Sequence, residues 1–241
     1  MQWEHIIYLV LVGIGAGFVQ RVSGFGLGIF AMIFLPHFTP THTAAAAISS
    51  LFSLCTSTYN AICYRKSIAY KTAIPMICAA LISIPIAVRF SATVSGDIFQ
   101  ILLGAVLILL SVYFLFFNSR IQLKPNFPNG LVAGTLSGGL SGLFSTGGPP
   151  VVLYLSSAAK DNITYFATIQ FYFSFSCLYS TAMRAANGII NSDILLYAAI
   201  GILGCMLGDY FGKRVFHKLD AAKLKKIIYI GMIISGVVMF F

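Results

Sequence analysis

The chain has 241 residues, of which 59% are hydrophobic and only 9% charged, with a mean hydropathy of +0.91 and a formal net charge of +9. A soluble domain carries about 45–50% apolar and about 25% charged residues, so a water-facing globular fold is excluded. A crossing of ~30 Å of hydrocarbon needs about 20 apolar residues, which leaves room for about eight or nine spans and no soluble domain. The expected class is therefore an all-α polytopic membrane protein, since a helix satisfies its own backbone in lipid.

The remaining counts set aside other classes. The five cysteines, Cys55, Cys63, Cys78, Cys177 and Cys205, lie in apolar stretches without CxxC spacing. They read as small core residues, with no disulfide framework and no metal site. The basic excess reads as cytoplasmic loops, not as a nucleic-acid surface. The start, MQWEHIIYLV, lacks a positive n-region and a cleavage site, so it reads as retained structure.

In chain order, the first region is irregular. Ile6–Val19 is apolar, is interrupted at Gln20-Arg21-Val22-Ser23-Gly24, resumes as Phe25–Leu35 and stops at Pro36. Ordinary spans follow at Ala44–Tyr64, Tyr70–Phe90 and Ile98–Phe117. The second irregular region is Leu131–Phe144, interrupted by Ser145-Thr146-Gly147-Gly148-Pro149-Pro150 and resumed as Val151–Leu155. Spans at Ile163–Met183, Ile194–Phe211 and Lys226–Phe241 complete the chain, with Lys223, Lys225 and Lys226 placed to snorkel. Each piece of the irregular regions is too short to cross alone, and Gly and Pro at the interruptions favour unwinding.

The two irregular regions match. A shift of 122 residues places Gly17 on Gly139, Ser23 on Ser145 and Gly26 on Gly148. The chain divides into a first repeat, 1–117, a cytoplasmic linker, 118–129, and a second repeat, 130–241. Eight simple spans would put six basic loop residues on one side and eight on the other, against the positive-inside rule. Letting each irregular region enter and leave on one side puts twelve of the fifteen basic residues inside, including Arg65, Lys66, Lys71, Arg120, Lys124, Lys160 and six from Lys213 to Lys226. Arg89 and Arg184 lie outside, and Arg21 lies at a hairpin tip. The expected architecture is two inverted repeats, each a broken, re-entrant helical hairpin plus three transmembrane helices, meeting near the midplane. Both termini are then periplasmic.

The interruptions concentrate hydrogen-bond donors. Gln20, Arg21, Ser23, Ser145 and Thr146 lie there with the amides of Gly24, Phe25, Gly26, Gly147 and Gly148. Asn60, Gln170 and Tyr172 lie in the following spans. Half-helices starting after Gly24 and Gly148 aim positive ends at the interruptions, and Pro149 and Pro150 suit a helix start. This set suits a small anionic substrate. No Asp or Glu lies mid-span, and Asp209 is near a cytoplasmic end, which disfavours a metal or Na⁺ site. The glycine spacings Gly204/Gly208/Gly212, Gly13/Gly17 and Gly134/Gly138/Gly142 read first as packing faces. His5, His37, His42 and His217 read as interface or loop residues.

Ser23-Gly24-Phe25-Gly26-Leu27-Gly28 with Pro36, and Gly142-Leu143-Phe144-Ser145-Thr146-Gly147-Gly148-Pro149-Pro150, resemble the paired signatures of the TauE/SafE sulfite exporter family. The run Ile169–Phe173 and the ending Leu207-Gly208-Asp209-Tyr210-Phe211-Gly212-Lys213-Arg214 fit the same pattern. The resemblance implies a multi-pass permease of the bacterial inner membrane that exports sulfite, a sulfonate such as sulfoacetate, or thiosulfate. In that reading Arg21 supplies charge, the serine, threonine and glycine groups hold the oxygens, and Gln20, Asn60, Gln170 and Tyr172 orient the anion. A negative interior favours outward anion movement by about 2.3 kcal/mol per charge per 100 mV, so no coupling ion and no cofactor are required. A proton- or sodium-coupled importer of a sulfonate or metal ion is the alternative. A membrane enzyme or assembly factor is the third reading, for which no nucleophile–base pair is present. Lipid is the other expected partner, and exposed small-residue faces allow a homodimer.

Overall fold

The computed structural model of the protein describes residues 3–116 and 125–215, and also 230, 233, 234 and 236–238. The described residues form nine α-helices and no strand. They are α1 (Trp3–Ser23), α2 (Leu27–Phe34), α3 (His42–Cys63), α4 (Tyr70–Thr93), α5 (Gly96–Phe116), α6 (Phe127–Phe144), α7 (Gly148–Ala158), α8 (Asn162–Ala186) and α9 (Ser192–Val215). Local chemistry accounts for several starts. Thr41 caps α3, Asn126 caps α6 and Asp161 caps α8, each by a side-chain oxygen that accepts a first-turn amide. Pro149 and Pro150 occupy the first turn of α7, where a missing N–H costs little.

Four helices, α1, α4, α5 and α9, are long and apolar enough to cross a membrane. Large apolar side chains such as Ile74, Ile82, Ile86 and Leu203 stand exposed on the outside of the bundle. The last expected span, Lys226–Phe241, falls mostly outside the described residues, as do Lys218, Lys223, Lys225 and His217.

The interruptions are narrower than the sequence suggests. Helix α1 runs 21 residues, through Gln20, Arg21, Val22 and Ser23, and breaks only at Gly24–Gly26. Its length, about 31 Å, matches a full crossing, so the first arm is not a short piece. Polar residues do not unwind it because neighbouring helices satisfy them. Helix α6 runs 18 residues and gives way at Ser145–Gly147. The breaks use left-handed backbone: Gly24 has φ 80°, Gly26 has φ 97° and Ser145 has φ 59°. Glycine adopts this freely, whereas Ser145 does so as the residue that ends α6, its amide bonded to the Ser141 carbonyl (3.0 Å).

Each short helix folds back along its long neighbour. Tyr8 Oη donates to the Phe34 carbonyl at 2.9 Å, joining the start of α1 to the end of α2. Tyr154 Oη of α7 donates to the Asn126 carbonyl ahead of α6 at 3.3 Å. Helices α3 and α8 pack antiparallel through the middle, Ser50 meeting Thr181 (3.2 Å) and Tyr64 meeting Phe166 (centroids 5.3 Å). Helix α1 packs parallel to α9, and α6 parallel to α4.

Those two parallel seams are glycine-lined, as the spacing suggested. A Cβ on Gly17 would sit 2.1 Å from the Cys205 carbonyl oxygen, and one on Gly208 2.1 Å from that of Ile14. On the other seam a Cβ on Gly134 would sit 2.3 Å from the Met76 carbonyl oxygen. Close backbone approach replaces the hydrophobic drive that helices lack inside lipid. The cysteines divide: Cys177 and Cys205 are buried, Cys55 is half-buried, and Cys63 and Cys78 are exposed, so the uniform core reading is corrected. All five are free thiols.

Candidate functional site

The tips of the two hairpins, α1–α2 and α6–α7, lie against each other. A Cβ on Gly28 would sit 1.9 Å from the Ser145 carbonyl oxygen, and one on Gly148 3.0 Å from the Phe25 ring. Between the tips is a cavity of about 20 Å³, lined by Gln20, Phe25, Gly26, Gly28, Ser53, Ser145, Thr146, Gly147, Gly148 and Cys177 among others. That is room for about one water. The first turns of α2 and α7 both open onto it, so two positive helix ends converge there. Ser145 Oγ and Thr146 Oγ1 are buried without a hydrogen-bond partner. Leaving a buried hydroxyl unpaired costs about 1–3 kcal/mol, so a water or another small polar molecule suits this place.

Not every expected amide faces the cavity. The Gly24 N–H is bonded to the Gln20 carbonyl (2.8 Å) within the end of α1. Ser23 Oγ lies within hydrogen-bond reach of the Val19 and Phe25 carbonyls, which holds the turn, and does not line the cavity. Ser137 Oγ braces the other tip by donating to the Gly147 carbonyl. Tyr172 is fully buried beside the Ser137 and Ser176 hydroxyls and lines neither cavity.

Arg21 departs from the expected arrangement. It points away from the tip cavity into a larger one of about 940 Å³, lined by Arg21, Thr56, Tyr59, Asn60, Cys63, Tyr64, Met206, Asp209, Tyr210, Lys213 and Arg214. Arg21 is 9% exposed; Nη1 donates to Asn60 Oδ1 (2.9 Å) and Nη2 to Tyr64 Oη (2.6 Å). Its guanidinium lies 5.3 Å from the Tyr64 ring centre and 5.0 Å from that of Phe166. Both contacts favour the cation. Gly212 makes the room: a Cβ there would sit 2.8 Å from Arg21 Cβ.

A polar partition separates the two cavities. Gln20 Nε2 donates to Ser57 Oγ and to Gln170 Oε1, both at 2.8 Å. Gln20 Oε1 accepts from Thr56 Oγ1 (3.0 Å), and Gln170 Nε2 donates to the Gly24 carbonyl (2.9 Å). Thr56 lines the larger cavity and Gln20 the smaller, so this cluster is the wall between them.

Sequence reasoning passed over several buried polar residues. In α3, Ser49, Ser50, Ser53, Thr56 and Ser57 are all buried, in line with Asn60, which the sequence did single out. Their three- and four-residue spacing is a polar stripe, legible as one face of a helix. Arg184, expected in a loop on the outer side of the membrane, is instead fully buried within α8. It donates through Nη2 to the Gly142 carbonyl (2.8 Å) and the Ser141 carbonyl (3.2 Å), and through Nη1 to Ser50 Oγ (3.4 Å) and Ser180 Oγ. It thus binds the last carbonyls of α6, where a cation suits the negative helix end. Ser176, Ser180 and Arg184 at four-residue spacing are the signal for it. Asp209 is also buried, 7% exposed, and accepts from Asn60 Nδ2 (2.9 Å). Its approach to a helix end does not leave it in water. Among the described residues no group of three His, Cys, Asp or Glu side chains is placed to hold a metal.

The family model described as Sulfite exporter TauE/SafE matches residues 9–239. The chain is 22% identical over 222 residues to the "Probable sulfite/organosulfonate exporter TauE" of Cupriavidus necator, covering 90% of this chain and 86% of that one. No solved structure matches it. A match over nearly the whole chain, on a bundle with helices of membrane length, makes this a multi-pass membrane protein of the TauE/SafE sulfite exporter family.

Proposed function

We propose that the protein exports a small sulfur-containing anion, sulfite or a short organosulfonate, by alternating access around the hairpin tips. The observation that carries this reading is the pair of unpartnered hydroxyls, Ser145 Oγ and Thr146 Oγ1, facing a cavity shared by two helix N-termini. An oxyanion supplies acceptors to both hydroxyls and to the amides of Gly26, Gly147 and Gly148. The substrate class comes from the family and from the name of the Cupriavidus relative.

In this mechanism the larger cavity is the loading vestibule. Arg21 attracts the anion there, with Lys213 and Arg214 at the exposed rim. Movement of Gln20 and Gln170 opens the partition, and the tips part to accept the anion. The small tip cavity then corresponds to a closed state between openings. Substrate binding at positions 20, 21, 25, 26, 60, 145–148 and 170 is part of this proposal; Ser23 and Gly24 hold the turn through their own hydrogen bonds, and Tyr172 supports the tip through packing.

Inverted repeats fit the chain directions. The α1–α2 hairpin enters from one end of the bundle and α6–α7 from the other, and the α1–α9 seam has its counterpart in α6–α4. Arg65, Lys66, Lys71, Lys160, Lys213 and Arg214 gather at the vestibule end, which supports a cytoplasmic vestibule and a periplasmic N-terminus in this reading. The setting is the bacterial inner membrane.

Proteoliposomes loaded with sulfite or a short sulfonate test the reading. Saturable efflux, lost in Arg21→Gln while the purified variant stays monodisperse, is the expected result. Undiminished flux in that variant removes Arg21 from the mechanism, and absence of any sulfur-anion flux removes the reading.

A further inference from the structure

We infer that Asp209 is a proton-binding site whose occupancy is linked to anion binding at Arg21. The inference rests on the permease reading and adds a coupling ion to it.

A carboxylate inside a membrane protein is costly unless compensated. Asp209 is 7% exposed and is the one carboxylate among the described residues lining the vestibule. Its compensation is indirect. Asn60 Nδ2 donates to Asp209 Oδ1 (2.9 Å) and to the Thr56 carbonyl (3.0 Å), while Asn60 Oδ1 accepts from Arg21 Nη1 (2.9 Å). The amide cannot be turned round. A guanidinium only donates and both groups on the other side only accept, so Asn60 is fixed as an oriented bridge. The guanidinium and the carboxylate therefore stand as a compensated pair across one amide.

An anion that loads onto Arg21 ends that balance. The site then holds two negative charges against one buried positive charge, in a low-dielectric wall where like charges disfavour each other. Uptake of one proton on the other oxygen of Asp209 restores the balance and leaves the Asn60 hydrogen bond in place. The remaining titratable groups facing Asp209 do not substitute. Tyr59 and Cys63 come from α3, Tyr64 from the residue that follows it, and Cys205 and Tyr210 from α9 itself. Lys213 and Arg214 are exposed, where solvent screens them, and Arg214 is held on the Tyr210 ring at 4.5 Å and bonded to its hydroxyl.

Linkage makes the effect reciprocal: the proton strengthens anion binding by the factor by which the anion strengthens proton binding. A monoanion that crosses with this proton moves no net charge. The anion gradient and the pH gradient then set direction, and the membrane potential drops out.

Calorimetry on the purified full-length protein tests this with methanesulfonate, which carries one charge and exchanges no proton at working pH. Binding heats measured in buffers of different ionisation enthalpy count the protons taken up. The wild type is expected to take up protons with the anion, and its affinity to rise on acidification, approaching tenfold per pH unit. Asp209→Asn keeps an acceptor for Asn60 and is expected to bind with no proton uptake and no pH dependence. Binding to the wild type without proton uptake overturns the inference whatever the variant does. Equal uptake by Asp209→Asn and the wild type overturns it too. If methanesulfonate and sulfite both fail to bind, the permease reading falls and takes this inference with it.

Discussion

Gly28 at the start of α2 lies directly on the Ser145 carbonyl, so close that any Cβ at position 28 would stand 1.9 Å from that oxygen. One hairpin tip can reach the other only because this side chain is absent. Gly28→Ala is expected to push the tips apart at a cost of about 1–3 kcal/mol and to reduce flux about tenfold or more. Gly139→Ala, where nothing lies within 4 Å, is the matched control and is expected to transport normally. Initial efflux rates in proteoliposomes compare the two.

Arg21→Lys separates charge from geometry. The fork that joins Asn60 and Tyr64 needs two guanidinium nitrogens, which an ammonium lacks. A weaker apparent affinity with a retained maximal rate is expected for Arg21→Lys, against no flux for Arg21→Gln. A concentration series of substrate reads the difference.

Arg184 is expected to serve the fold and not the vestibule. Arg184→Ala removes the donors for the Ser141 and Gly142 carbonyls and for Ser50 Oγ. Hydrogen bonds from a charged group contribute about 1.5–3 kcal/mol each, so a large drop in melting temperature of the purified protein is expected.

The α1–α9 seam tolerates no side chain at its centre. Gly208→Ala places a Cβ 2.1 Å from the Ile14 carbonyl oxygen. A loss of about 1–3 kcal/mol is expected, read as lower melting temperature and yield.

Asp161 caps α8 beyond the membrane-spanning segments. Hydrogen bonds from the Thr164 amide and hydroxyl, then from the Ile163 amide, hold its carboxyl below the usual carboxylate range, with Lys160 adding to them. A lowered folded-state pKa stabilises at any pH above the ordinary carboxylate value and ceases to do so as pH falls through the lowered one. Asp161→Asn keeps the cap and is expected to flatten that acid limb of a melting-temperature profile.

The sequence by itself determined the class of the protein, the two interrupted regions and the glycine seams. Apolar content and Gly and Pro spacing are local properties, and the backbone obeys them wherever it is placed. Tertiary structure alone decided where the charges ended up. Gln20 and Arg21 stay helical because α3 and α8 satisfy them, and Arg21 faces the vestibule because Gly212 of α9 leaves it room. Asp209 and Arg184 look like residues of helix ends in the chain, yet both are buried through partners more than 40 residues away. Which polar groups meet depends on how distant helices cross, and that information is not carried by any single stretch of the chain.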